Sequence, residues 1–300
     1  MLQPRAPLRP LTIGEFNIGR VAELEFPAFA ALEFFPAATP EMLEEARRAL
    51  PGRISADGKI VMSFHSFVLK SGHHTILIDT CCAKSRPGRA QFDQGKMDYL
   101  AGLAAVGVKP EQVTHVMCTH LHWDHVGWNT KLVDGRWVPT FPNARYVMAK
   151  REYDHWDAVF AKEKDKNANP NALAFEDSVL PLMRAEKAVL VHDDFELDRG
   201  VSLEACHGHT PGHVVINVES DGKRGVLIGD VIHHPIQVMF PELSTRVDFD
   251  PNMSRASRRA LIEKHAGTGN VVMPHHFSSP TCGTIEPAGN GFRFDFIEGS

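Results

Sequence analysis

The chain has 300 residues, of which 43% are apolar and 23% charged, a composition that excludes disordered and fibrous classes and fits a folded globular protein. Its net charge of −5 and the lack of any long basic run remove the phosphate attraction on which nucleic-acid binding rests, so no nucleic-acid partner is expected. Five cysteines (Cys81, Cys82, Cys118, Cys206 and Cys282) are an odd number in a chain too large to need disulfide staples, which predicts reduced thiols behaving as small buried hydrophobes.

The first ten residues carry three prolines and two arginines without an apolar signal-peptide core, and no stretch reaches the ~18 uninterrupted apolar residues of a membrane span. A cytoplasmic protein with no membrane association is the expectation. Residues 11–52 mix aromatics with helix formers. Phe26, Phe29, Phe34 and Phe35 precede a predicted helix from Pro40 or Glu41 to Leu50, closed by Pro51-Gly52. Alternating runs at 60–69 and 74–79, separated by Lys70-Ser71-Gly72-His73, predict a β-hairpin. A short helix over 97–106 and a strand over 112–118 follow, then strands at 137–141 and 144–149.

Residues 150 to about 186 have a helical pattern broken by the polar run 164–171 and read as an inserted cap. Strands resume at 188–191, 201–205, 214–218, 225–228 and 270–273, with a helix over 253–265 between the last two. The whole is read as one domain, residues 1–300, with an N-terminal elaboration over 1–55 and the helical insertion at about 150–187. The aromatics of residues 26–35 suit a surface that a second copy would cover, which makes a homodimer the natural assembly to look for.

Chemistry concentrates in the hexapeptide His120-Leu121-His122-Trp123-Asp124-His125, which places four metal-capable side chains at the end of an apolar, strand-like run. Imidazoles and carboxylates suit zinc and similar first-row ions, and a cluster without thiolates argues for an open, catalytic site over a closed structural one. A loop conformation is expected, because on a helix His120 and His122 would diverge. Two further signals lie downstream: His207-Gly208-His209-Thr210-Pro211-Gly212-His213, and Val226-Leu227-Ile228-Gly229-Asp230.

In order and spacing, the HxHxDH string, His209-Thr210-Pro211-Gly212-His213, Gly229-Asp230 and a late histidine resemble the metallo-β-lactamase superfamily, and within it the lactonase and methyl parathion hydrolase-like branch. The resemblance spans about residues 64–276. It implies an α/β fold, an αββα sandwich of two mixed sheets flanked by helices, with metals in a cleft at one sheet edge. Carried over by position, His120, His122 and His209 would bind one ion, Asp124, His125 and the late histidine a second, and Asp230 would bridge them. His275 and His276 compete for the last place; the run His276-Phe277-Ser278-Ser279-Pro280 resembles the branch's His-Phe/Leu-x-x-Pro segment and favours His276. Two divalent ions, zinc foremost, are thus expected.

Such a pair implies a hydrolase in which a metal-bridging hydroxide attacks a small-molecule ester or lactone, with Asp124 passing a proton to the leaving group. Organophosphate triesters are the rival substrate class for the same cleft, and a noncatalytic, metal-stabilised protein is the reading from outside enzymology. Asp79, in its Leu-Ile-Asp-Thr context, is expected to orient ligands from beneath the loop, and His213 to be a structural histidine of its turn. His233 stands where the lactonases often carry a tyrosine; stabilising an oxyanion and merely packing in the loop are both open to it. Trp123 and Phe277 are the residues assigned to a substrate pocket.

Overall fold

The computed structural model describes residues 11–90, 93, 97–165, 168–198 and 200–300; the proline-rich first ten residues and part of the polar run at 164–171 lie outside them. Sixteen strands are described: β1 (Leu11–Ile13), β2 (Phe16–Ala30), β3 (Lys59–Lys70), β4 (Thr75–Ile78), β5 (His115–Met117), β6 (Thr130–Val133), β7 (Arg136–Pro139), β8 (Arg145–Ala149), β9 (Ala188–Val191), β10 (Glu196–Asp198), β11 (Val201–Ala205), β12 (Val214–Ser220), β13 (Lys223–Leu227), β14 (Val271–Met273), β15 (Gly283–Ala288) and β16 (Gly291–Phe296). They form one sheet ordered β1-β2-β3-β4-β5-β8-β9, a second ordered β10 to β16 in sequence, and the separate hairpin β6-β7. Each large sheet mixes antiparallel and parallel neighbours, with β4, β5, β8 and β9 parallel in the first and β13-β14 parallel in the second.

Side-chain alternation along these strands builds four layers. Phe67, Leu69, Ile76 and Ile78 of the first sheet meet Leu203, Val214, Ile216 and Leu227 of the second in one shared core. On the opposite face of the first sheet, Val68, Leu77, Val116 and Tyr146 pack against Tyr99 and Leu103 of helix Tyr99–Ala105 and against Trp156, Phe175 and Leu182 of the helical segment. The outer face of the second sheet presents Val215, Val226 and Val272 to Leu261 and Ile262 of helix Pro251–His265. This is the αββα sandwich. At about 25 cal/mol per Å² of apolar surface removed from water, these three interlayer cores are the dominant favourable term in holding the site's framework.

The predicted helices over 40–50, 97–106 and 253–265 are present as Pro40–Ala49, Tyr99–Ala105 and Pro251–His265. Their starts follow from capping chemistry: Thr39, Asp98 and Asp250 each accept a backbone N–H of the first turn, with proline at the first position of two of them. Residues 11–30 differ from the helix-and-aromatic reading, because they are strands of the first sheet. β2 pairs with β3 along twelve residue pairs, but the register shifts between Ala22 and Leu24 and again between Pro27 and Phe29. These bulges break the period-two alternation by which a strand is recognised: Phe16 and Ile18 are buried, then Val21, then Glu23 and Leu24. Pro27 is tolerated because β1 covers only residues 16–18, leaving the rest of β2 as an edge among the described residues. The expected strand at 137–141 exists as β7, in a hairpin outside both large sheets.

Candidate metal centre

Every motif in question lies just beyond the C-terminal end of a strand. Asp79 follows β4, the hexapeptide follows β5, His209 follows β11, Asp230 follows β13, and the His275-His276 pair follows β14. A single edge of the paired sheets therefore gathers them, as crevices outside strand carboxyl ends generally do in open α/β sheets. Two groups of ligand atoms result, each within 4.8 Å of one another: His120, His122, His209 and Asp230 in one, and Asp124, His125 and His276 in the other.

The hexapeptide is only partly a loop. His122 is extended (φ −67°, ψ 156°) and caps a short helical turn, Trp123–Val126, so the chain changes conformation in the middle of the motif. His120 and His122, two apart ahead of that turn, fall in the same group of ligand atoms. The turn then swings Asp124 and His125 toward His276.

Asp230 stands between the groups. Its Oδ2 lies 3.2 Å from His209 Nε2 and 3.6 Å from His120 Nε2, while its Oδ1 lies 3.1 Å from both His125 Nε2 and His276 Nε2. Its position is set from behind: the Asp230 N–H donates to His213 Nε2 at 3.0 Å. Gly229, at φ +49°, permits this contact, because a Cβ there would stand 2.5 Å from the same nitrogen. His213 is thus committed to the backbone of the Asp230 turn and lies outside both ligand groups. With burial foremost, its pKa falls to about 3, which keeps Nε2 free to accept.

Hydrogen bonds on the far nitrogens fix which imidazole atoms face inward. A carboxylate or carbonyl oxygen only accepts, so the nitrogen facing it carries the proton and the other offers its lone pair. His125 Nδ1 donates to Asp79 Oδ2 at 2.8 Å, His209 Nδ1 to Asp248 Oδ1 at 3.0 Å, and His276 Nδ1 to the Ser63 carbonyl at 3.0 Å. His120 Nδ1 contacts Thr119 Oγ1 at 3.1 Å, and that hydroxyl donates to Asp79 Oδ2 at 2.7 Å. Four histidines thereby present Nε2 to the centre. His122 instead turns Nδ1 inward, 3.0 Å from His209 Nε2.

His276, rather than His275, reaches the second group: its Nε2 is 3.5 Å from Asp124 Oδ2 and 3.2 Å from His125 Nε2. His275 faces backward, with Nε2 3.3 Å from Asp79 Oδ2.

Burial, then the neighbouring His125, hold His120 well below the ordinary imidazole range, and burial with His209 does the same to His122. His209 behaves oppositely. Burial opposes its charge, but its contacts with Asp230 and Asp248 raise it to about 9. His125 is likewise raised against the cost of burial by Asp230, Asp79 and Asp124. Asp230 is held well below the usual carboxylate range, its burial outweighed by His125, His276, His233 and His120.

The residues fit divalent cations. His120 Nε2 and Asp230 Oδ1 are buried and, among the described residues, find no hydrogen-bond partner. The inward nitrogens stand 3.0 Å apart in the His122–His209 pair and 3.2 Å apart in the His125–His276 pair, so each pair converges closely enough to share one cation. Borderline nitrogen and oxygen donors without thiolate are the set that suits zinc and its first-row neighbours.

A model of the metallo-β-lactamase superfamily matches residues 64–286. The chain belongs to the metallo-β-lactamase superfamily. Over the full fold it resembles AbOPH, a hydrolase in the beta lactamase superfamily, at TM-score 0.82 and 25% identity over 99% of each chain. It also resembles AidC, a dizinc quorum-quenching lactonase, at TM-score 0.76 and 20% identity over 97% of each chain, a likeness of fold. An N-acyl homoserine lactonase of Bacillus cereus is 26% identical over 161 residues, 54% of this chain and 54% of the relative. The chain thus spans about half the length of the curated relatives it matches.

One expectation changes at this superfamily site. Phe277 is fully buried, packed edge-on against Phe294 at 5.1 Å in the core beneath the second sheet, so it does not line an open pocket. Strand alternation explains this: Phe277 bridges to Met62, and turning His276 into the centre turns its neighbour away. His233 points its Nε2 at Asp230 Oδ2, 3.2 Å away, under the edge of Phe34, so its proton is directed at the carboxylate rather than at the mouth.

Trp123 is half-buried beside the half-buried His122 and Asp124, which form the open side of the centre. Its ring lies 6.3 Å from that of Phe64, which in turn sits edge-on to His276 at 5.0 Å. Sequence reasoning missed Phe64, Asp248 and Glu152. No motif marks the last two; they are located only by the contacts of the folded chain.

Proposed function

We propose that this chain is a dinuclear metal-dependent hydrolase of small esters or lactones, with zinc as the resident ion. The observation that carries the reading is the division of Asp230, whose two carboxylate oxygens face two separate groups of inward-pointing ligand atoms. His120, His122 and His209 would hold one ion, Asp124, His125 and His276 the other, with Asp230 shared. Bound there, two divalent ions supply an acidified water and a Lewis acid for a carbonyl or phosphoryl oxygen.

The chain's own residues supply the rest. Asp124 is the more open of the two proposed carboxylate ligands, its side chain 12% exposed against 3% for Asp230, so it stands where substrate would enter. In ester hydrolysis the water oxygen bonds to the acyl carbon, the acyl–oxygen bond breaks, and the water's proton must reach the departing oxygen. Asp124 is assigned that transfer, which requires only hydrogen-bond reach. Half-buried Trp123, backed by the buried Phe64, forms an aromatic wall that favours the apolar part of a substrate and excludes bulk water. His233 is assigned to holding Asp230 in place, since its Nε2 faces that carboxylate.

The match to N-acyl homoserine lactonases supports a lactone or ester; phosphotriesters are the alternative for the same cleft. Metal analysis of the purified protein, joined to turnover assays on lactones, aryl esters and phosphotriesters, tests the reading. Two ions per chain with turnover on a lactone or ester is expected. Fewer than two ions, or no turnover on any of the three classes, would overturn it.

A further inference from the structure

Glu152 is a buried carboxylate that the proposed chemistry does not use. It sits in the first turn of helix Lys150–Lys162, directly after β8, and is 1% exposed. Four donors saturate it. Oε1 accepts the Leu121 N–H at 3.1 Å and the Trp156 Nε1–H at 2.7 Å, and Oε2 accepts the Thr210 Oγ1–H at 2.7 Å and the Gly212 N–H at 2.9 Å. With two donors on each oxygen the group has no place for a substrate or a transferable proton, which leaves positioning as its use.

Those donors are not scattered. Leu121 is the residue between His120 and His122; Thr210 and Gly212 follow His209 by one and three residues; and the Trp156 ring stands edge-on to His122 at 5.4 Å. One carboxylate therefore grips both loops that carry the His120, His122 and His209 group. Among the described residues nothing comparable ties it to the other group, whose His125 rests on Asp79 and whose His276 rests on the Ser63 carbonyl. The approach is built in independently: a Cβ on Gly212 would stand 2.2 Å from the Glu152 nitrogen, so glycine there lets the second loop close on the carboxylate.

We infer that Glu152 is the positioning residue of one half of the centre: it sets the spacing of the two loops that bear His120, His122 and His209, and with it the affinity of that half alone for its ion. The inference rests on the two-ion reading above. Charge-assisted hydrogen bonds are about twice as strong as neutral ones, and the three that reach the loops, from the Leu121 and Gly212 N–H groups and the Thr210 hydroxyl, tie both loops to one carboxylate. Glu152→Gln keeps the shape but sets an NH2 against donors, so at least one clamp opens whichever way the amide is turned.

Zinc binding is measured by chelator competition in two single-site backgrounds. With His276→Ala disabling the second group, adding Glu152→Gln should weaken the remaining ion by about 10- to 100-fold, the range for losing a partner that orients metal ligands. With His209→Ala disabling the first group, the same substitution should leave the remaining ion's affinity within twofold. Equal weakening in both backgrounds, or none in either, overturns the inference. If Glu152→Gln does not fold, Thr210→Val removes one of the four donors and keeps the carboxylate; it should show the same one-sided pattern at a few-fold, and a two-sided or null result overturns the inference equally. Two ions in the wild type with no turnover would sink the proposed function and leave this asymmetry standing, so the two failures are distinguishable.

Discussion

Asp79→Asn is the sharpest test of how the second half of the centre is held. The carboxylate lies at φ +56° beyond β4, a conformation asparagine also accepts, so the substitution alters hydrogen bonding without forcing the backbone. Oδ1 accepts the Thr119 N–H at 2.8 Å, while Oδ2 accepts the Thr119 hydroxyl at 2.7 Å and His125 Nδ1–H at 2.8 Å. With the amide oxygen on the Thr119 N–H, the NH2 confronts His125 Nδ1; turned over, it confronts a backbone N–H that cannot accept. The first arrangement costs less, and it forces His125 to move its proton to Nε2, the nitrogen that faces Asp230. Loss of one to two hydrogen bonds to a charged acceptor, at about 1.5–3 kcal/mol each, should lower the unfolding free energy by roughly 2–5 kcal/mol. The ion at Asp124, His125 and His276 should bind about 10- to 100-fold more weakly. Equilibration against a series of buffered free-zinc concentrations should show loss of one ion per chain before the other. An Asp79→Asn protein that keeps both ions at wild-type affinity would refute the orienting role.

Three other outcomes follow from the packing and the titrating groups. Phe277→Ala empties a fully buried site and should cost about 3–5 kcal/mol in urea unfolding, while the folded fraction keeps its zinc stoichiometry and its KM; a raised KM with unchanged stability would return Phe277 to the pocket. Trp123→Ala, at the half-buried mouth, should reverse that pattern, raising KM with a change in stability below about 1 kcal/mol. His234 is held neutral by burial, with Nε2–H donating to the Arg53 carbonyl at 3.0 Å and Nδ1 accepting the Ile236 N–H at 3.2 Å, and its pKa falls to about 3. Because the folded value lies below the ordinary imidazole value of 6.5, its contribution is complete above pH 6.5 and is lost as pH falls from there toward 3. Between pH 6.5 and 4 the wild type should lose stability more steeply than His234→Gln, by on the order of 1 kcal/mol per pH unit, and parallel slopes would refute it.

Much of this architecture is legible in the sequence because strand ends and ligand motifs coincide. The runs before Asp79, His120 and Asp230 are short, apolar and β-branched, and each places its motif at the same edge once the strands pair. What escaped reading has identifiable physical causes. The two bulges in β2 shift the alternation twice in fifteen residues, so no single period describes Phe16–Ala30. Pro27 further argues against a strand unless the sheet edge is already known. Glu152 and Asp248 are invisible for another reason. They meet the ligand loops across 31 and 39 residues of sequence respectively, through hydrogen bonds that no local spacing encodes. Phe277 falls in the core because its bridge to Met62 turns it to the face opposite His276, a pairing that the sequence of the run 276–280 does not display.

The hexapeptide can divide its ligands between two ions because it uses two backbone conformations in six residues. Ahead of the turn His122 is extended, and it shares its group of ligand atoms with His120. A helical turn advances about 100° per residue, and beginning at Trp123 it carries Asp124 and His125 to another side. Neither conformation alone would serve: a full strand would set His125 opposite His122, and a full helix would separate His120 from His122. The change of conformation has to be fixed from outside, and the two carboxylates that fix it lie on opposite flanks. Glu152 holds the N–H of Leu121 on the extended side, and Asp79 holds Thr119 at the start of the motif and His125 at its helical end. On this reading Asp230 can be shared between the halves because each has a carboxylate behind it: Glu152 grips only the two loops of the first, whereas Asp79 holds His125 of the second directly and reaches His120 of the first through the Thr119 hydroxyl.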